Sequence, residues 1–75
     1  VIQFALPVAT HVRLEVINIL GQTVTTLVDR QMEAGYQSVE WNSTNSDGSR
    51  VASGVYFYRL EAGTFRDTKK MLLLK

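Results

Sequence analysis

The run Val55-Tyr56-Phe57-Tyr58 sets the terms for the rest of the chain: three aromatics among four residues form the largest apolar cluster in the sequence and need a packed surface to cover them. Asp47-Gly48 marks a turn ahead of it, and Gly54 a second break immediately before it. Glycine reaches positive φ without steric cost, and aspartate hydrogen-bonds its own backbone. Beyond the run, Tyr58, Arg59, Leu60 and Glu61 alternate apolar with charged. A strand has a side-chain period of two, so Tyr56, Tyr58, Leu60 and Ala62 are predicted on a core face and Val55, Phe57, Arg59 and Glu61 on the opposite one.

The other elements must pack against or beside that strand. Ile2, Phe4 and Leu6 alternate with Gln3 and Ala5, and Pro7 ends the pattern because proline cannot donate to a ladder, which predicts a short edge strand. Val12, Leu14 and Val16 alternate with Arg13 and Glu15 in the clearest amphipathic strand of the chain. Leu20-Gly21-Gln22 reads as a tight turn into the β-branched stretch Thr23 to Val28, so a hairpin spanning Val12 to Val28 is expected. Asp29 to Ala34 are good helix formers too few for a free helix, and they are expected to form a loop or single turn closed by Gly35. Gln37, Val39 and Trp41 predict a further strand, Asn42 to Ser49 a polar loop, and Ala62-Gly63-Thr64 a turn. Phe65 to Leu74 reads as the last strand, its edge or outer face charged by Arg66, Lys69 and Lys70. Strands with no long helix between them favour an all-β, antiparallel two-sheet sandwich, with Val12, Leu14, Val16, Val39, Trp41, Tyr56, Tyr58 and Leu60 inside.

Size and charge bound the function. A chain of 75 residues supports one thin core, and with no cysteine neither a disulfide nor a thiolate zinc site can brace it. The net charge of +1 supplies no field that would favour nucleic acid, and no apolar run approaches the ~20 residues that span a bilayer as a helix. No leader pattern is seen at Val1. No cofactor is implied.

The residues that could carry chemistry have ordinary structural readings beside the functional ones. His11, the only histidine, has only hydroxyls such as Thr10 near it in sequence and reads as an exposed loop residue. Glu15, Glu40 and Glu61 could pair as glycosidase carboxylates, but each falls at an outward strand position where solvated charge is expected. Catalysis is therefore not expected. Asn45, Asp47 and Gly48 match the third, fifth and sixth places of a calcium loop, yet Ser43 and Gly54 stand at the first and twelfth, where carboxylates are required. Asn42-Ser43-Thr44 satisfies the glycosylation sequon, a short match of little weight. Trp41 with Tyr36 and Tyr56 could form an aromatic platform for sugar, although Trp41 continues the inward series of Val39. Arg66, Lys69, Lys70 and Lys75 make a basic cluster that is either a recognised tail or a protected edge.

Taken together, FALP at Phe4 to Pro7, VRLEVINILGQTVTTLVD from Val12, AGYQSVEWN from Ala34 and the stretch from Asp47 to Lys75 resemble a known family. They are similar to the type A C-terminal sorting domain of proteins exported by the type IX (Por) secretion system, and to its relative, the Ig-like domain of the flagellar hook-capping protein. The specific parts are Leu20-Gly21, Val39 with Trp41, Asp47-Gly48, the run from Ser53 through Gly54, Tyr56 and Tyr58 to Leu60, and the closing Lys69-Lys70-Met71 to Lys75. The sequence departs from the family in lacking a proline- and asparagine-rich lead-in before its first strand, and in Ile17-Asn18-Ile19, where an aromatic and an aspartate are more usual. The resemblance implies a small Ig-like β-sandwich of about six to seven strands. It implies a non-catalytic module closing a larger secreted protein, often a hydrolase, read by the secretion machinery at the outer-membrane surface, with Lys69, Lys70 and Lys75 as recognition residues. An Ig-like accessory or spacer domain, carbohydrate-binding in one version, and a hook-cap-like assembly module are the alternatives.

Overall fold

The computed structural model describes residues 1–74. Six strands form in chain order: β1 (Ile2–Leu6), β2 (Thr10–Ile17), β3 (Thr23–Met32), β4 (Gly35–Val39), β5 (Gly54–Ala62) and β6 (Phe65–Leu73). They make two antiparallel sheets, one of β1 and β4 and one in the order β3-β2-β5-β6. The fold is a small all-β two-sheet sandwich, as the alternation predicts, and it is consistent with the Ig-like kind that the resemblance implies.

The core follows from the phase of that alternation. Val12, Leu14 and Val16 of β2 are fully buried, and Leu60 and Ala62 of β5 are buried beside them, with Leu14 directly opposite Leu60. Ile2 and Leu6 of β1 close over this layer, and Val28 and Met32 of β3 complete it. Of the remaining residues expected inside, Tyr56 is buried, while Val39, Trp41 and Tyr58 are half-buried. The smaller sheet has two strands and the larger four, so one layer cannot roof the other completely.

Three local expectations are corrected. Asp29 to Met32 is strand, with Asp29, Arg30, Gln31 and Met32 paired to Arg13, Val12, His11 and Thr10. Helix propensities differ by only a few tenths of a kcal/mol per residue, whereas extending β3 buries Met32 and continues the ladder. The chain then crosses to the other sheet through Glu33-Ala34 and Gly35, the last at φ 118°. His11 accordingly lies within β2, not in a loop. β4 stops at Val39, leaving Trp41 in the connection to β5.

The β2–β3 hairpin carries two bulges. Leu14 pairs with Val28 and Glu15 with Thr26, so Leu27 is extra; Val16 pairs with Thr25 and Ile17 with Thr23, so Val24 is extra. Each bulge adds local twist to an edge strand and so discourages a further strand from pairing there.

Truncating Leu14 to alanine is expected to cost about 2–5 kcal/mol, a large share of the roughly 4–11 kcal/mol typical of a domain this size. Leu72→Ala, at an exposed position on the outer face of β6, is expected to stay within about ±0.5 kcal/mol. Urea unfolding midpoints of the two variants measure the contrast; equal midpoints would contradict the core assigned here.

Candidate functional site

The basic residues of the last strand do not form one patch. Lys69 lies opposite Tyr58 and Lys70 opposite Phe57, so they project from opposite faces of β6. Lys69 shares the core-side phase with Asp67, Met71 and Leu73, and its ammonium is 4.0 Å from the Asp67 carboxylate. Lys70 shares the outer phase with Arg66, whose guanidinium lies 3.6 Å from Glu61. Both lysines are exposed, while Met71 and Leu73 are half-buried and hold the strand down. Lys75 lies outside the described residues.

The outer face of the larger sheet carries an ionic lattice that contradicts a solvated Glu15. Its side chain is only 4% exposed, and its carboxylate is met by Arg59 of β5 at 3.0 Å and by Arg13 at 3.3 Å. Thr23 Oγ1 donates to the same carboxylate at 3.5 Å. Arg59 also reaches Glu61, its Nε standing 3.8 Å from that carboxylate without a hydrogen bond. Glu15 and Glu61 therefore both stand against one guanidinium, an arrangement that organises a sheet face. Arg59 pairs with Glu15 in register, and a directly opposed cross-strand pair of opposite sign favours that register.

At one end of the sandwich, two loops repeat a single geometry. Asn18 Oδ1 accepts from the backbone N–H groups of Leu20 and Gln22, and Asn45 Oδ1 accepts from those of Asp47 and Ser49. The N–H of Gly21 donates to the Asn18 carbonyl and that of Gly48 to the Asn45 carbonyl, each at 3.0 Å. Gly21 and Gly48 both sit at φ near +80°, where a side chain would be strained. The extra residue of the second bulge joins the two loops, because the Val24 carbonyl accepts from both Ser46 N–H and Ser46 Oγ at 3.1 Å. A polar cavity of about 510 Å³ lies between them, lined by Asn18, Gln22, Asn45, Asp47 and the edge of Tyr56. Since Asn45 Oδ1 is already engaged by two backbone donors, the partial calcium-loop match describes a turn.

Tyr56 and Trp41 meet edge to face, ring centroids 5.4 Å apart. The indole N–H donates to the Thr44 carbonyl and the Tyr56 hydroxyl to the Ala52 carbonyl, so both polar tips pin the connection that leads into β5. Tyr36 is 94% exposed on β4 and does not join them, so the structure does not assemble the three-ring platform considered for sugar. Gly54 opens β5 opposite Leu73. His11 is not without a partner, since its Nε2 lies 2.6 Å from Asp29 Oδ1 across the β2–β3 ladder. The pair is exposed and Thr10, the adjacent hydroxyl, falls on the opposite strand face. The sequence reading places His11 and Asp29 in separate loops and so gives no sign of this pairing across two strands.

A family model described as the FlgD Ig-like domain matches residues 2–65, most of the chain. No curated protein and no solved structure matches it.

Removing the charge at the centre of the lattice tests its weight. Glu15→Gln is expected to destabilise the chain by about 1–3 kcal/mol, below the full cost of breaking a buried pair because both arginines are half exposed. At roughly 4–8 °C per kcal/mol the loss is visible in Tm, and it should shrink in high salt. A Glu15→Gln protein as stable as its parent at low salt would show the lattice to be ornamental.

Proposed function

The chain belongs to the FlgD Ig-like domain family, and from that premise we propose that it is a non-catalytic C-terminal sorting module: a type IX secretion apparatus reads it to export a larger secreted protein and attach it at the bacterial cell surface. The observation that supports this reading is the placement of Lys69 and Lys70 on an exposed edge strand, where neither is needed for the core. A receptor engaging that strand meets cations on both of its faces, with Lys75 following by resemblance. The parent chain supplies the activity, often a hydrolase, and this module supplies the address.

A second reading is favoured by the family match itself. In a hook-cap-like assembly module, the same rigid sandwich is a structural brick whose outer faces contact neighbouring subunits. An accessory or sugar-binding role has less support, because Trp41 and Tyr56 are engaged with each other and with backbone carbonyls.

Replacing Lys69, Lys70 and Lys75 by glutamine in a reporter fusion, in a host with the type IX machinery, is expected to lower export while leaving Tm nearly unchanged. Met71→Ala, at a half-buried site, is expected to cost about 1–2 kcal/mol, less than the 2–5 of a fully buried methionine, and to reduce export only as far as it unfolds the module. Undiminished export of the lysine variant would transfer the reading to the hook-cap alternative or to another surface of the sandwich.

A further inference from the structure

The chain has three asparagines, and the fold uses two of them to build turns. Asn18 Oδ1 and Asn45 Oδ1 each accept two backbone N–H groups, so both amides are locked inside their loops. Asn42 is placed differently. It is exposed in the connection between β4 and β5, and its Oδ1 accepts from the Thr44 hydroxyl two residues on. Asn42-Ser43-Thr44 is the one Asn-x-Ser/Thr sequence in the chain. Three residues of pattern say little alone, but here the two side chains that define the pattern are already hydrogen-bonded to each other on an accessible loop.

The backbone holds that arrangement in place. Ser43 sits at φ 66°, in the left-handed region that a residue other than glycine seldom occupies, and the bend brings the side chains on either side of it together. The surrounding loop fixes the strained residue: the Ser43 carbonyl accepts from the Val51 N–H at 2.9 Å, the Thr44 carbonyl accepts from the Trp41 indole at 2.9 Å, and Thr44 bridges to Arg50. Glu40, two residues ahead of Asn42, is exposed and enters none of the ion pairs among the described residues. An enzyme approaching the loop therefore meets an uncompensated anion close to the amide in sequence.

We propose that Asn42 is an acceptor for N-linked glycosylation in the folded chain, the donor being a polyprenyl-diphosphate-linked oligosaccharide and the catalyst a transferase that recognises the exposed loop. With Oδ1 engaged by Thr44, Nδ2 is the atom that the amide offers to a reactant. In the transfer Nδ2 forms a bond to the anomeric carbon of the sugar, and the bond from that carbon to the diphosphate oxygen breaks. The lipid diphosphate leaves with the electron pair, and one amide proton passes to a base on the transferase. The fold is left as it was, because Asn42 belongs neither to the core nor to a strand. The proposal goes beyond the sorting reading and stands without it, since it requires only that the chain meet such a transferase.

The test supplies a short polyprenyl-diphosphate-linked oligosaccharide and a purified bacterial oligosaccharyltransferase to the native chain, with a capped peptide of residues 38–46 as the control acceptor. The native chain is expected to gain the mass of one glycan, located on Asn42 by fragmentation, with Tm nearly unchanged. Asn42→Gln and Thr44→Val are expected to gain none while keeping the parent's Tm, and Thr44→Ser, which retains the hydroxyl, is expected to be modified. Glu40→Gln is expected to lower kcat/KM about two- to fivefold, the scale of one exposed charge contact. No gain of mass by the native chain, whether or not the peptide accepts, would overturn the proposal. So would transfer to Thr44→Val at the parent's rate, or modification at any residue other than Asn42.

Discussion

The pairing of β2 with β5 is the constraint on which the remaining structure rests. It joins residues 40 to 50 positions apart, so its loop-closure entropy is met only by what the register puts face to face. On one side of the sheet Leu14 meets Leu60 in the core, and on the other Glu15 meets Arg59. A slip of β5 by one residue against β2 would turn Leu60 to the outside and drive Arg59 under the roof, away from Glu15. Burial and charge therefore specify the same register, the first by the larger energy and the second by the penalty for any alternative. β3 and β6 then add to a frame that is already fixed.

The sandwich is built from unequal halves, and much of its surface chemistry follows. Four strands below and two above leave the flank over β6 without cover, so residues in the inward phase of that strand change character along its length. Met71 and Leu73 reach partial burial beneath the first residues of the chain and Trp41, whereas Asp67 and Lys69 meet solvent at the rim. An identical alternation thus yields a core contact at one end of β6 and a charged trough at the other. Periodicity in a sequence names the face, and the opposite sheet decides whether that face is dry.

This separates what could be read in advance from what could not. The strands carrying Leu14, Leu60 and Ile2 were legible because apolar residues at a period of two have few other uses in so short a chain. Asp29 to Met32 was misread because local propensity is weak and the partner that decides the matter, Thr10 to Arg13, lies a hairpin away. Glu15 stands on the outer face as the alternation predicts, but it is buried there between Arg13 and Arg59, a pairing that alternation does not report. Lys69 and Lys70 looked like one cluster because adjacency in sequence is opposition in a strand. The aromatic platform failed for the same reason, since Tyr36 and Trp41 differ in phase and in element.

The end loops show how a small sandwich without cysteine can still fix its connections. Asn18 and Asn45 each fold five residues around one amide oxygen, a local solution that requires only glycine at the fourth place. Neither turn needs the other to form. They become one rigid end because the bulge at Val24 turns a carbonyl out of the β2–β3 ladder and Ser46 captures it twice. The irregularity that breaks the hairpin register is the same one that anchors the long connection into β5, and Tyr56 and Trp41 close it from the other side. Rigidity at this end contrasts with the open flank beside β1, so the molecule presents one surface whose polar groups are already satisfied and another whose backbone still has bonds to make.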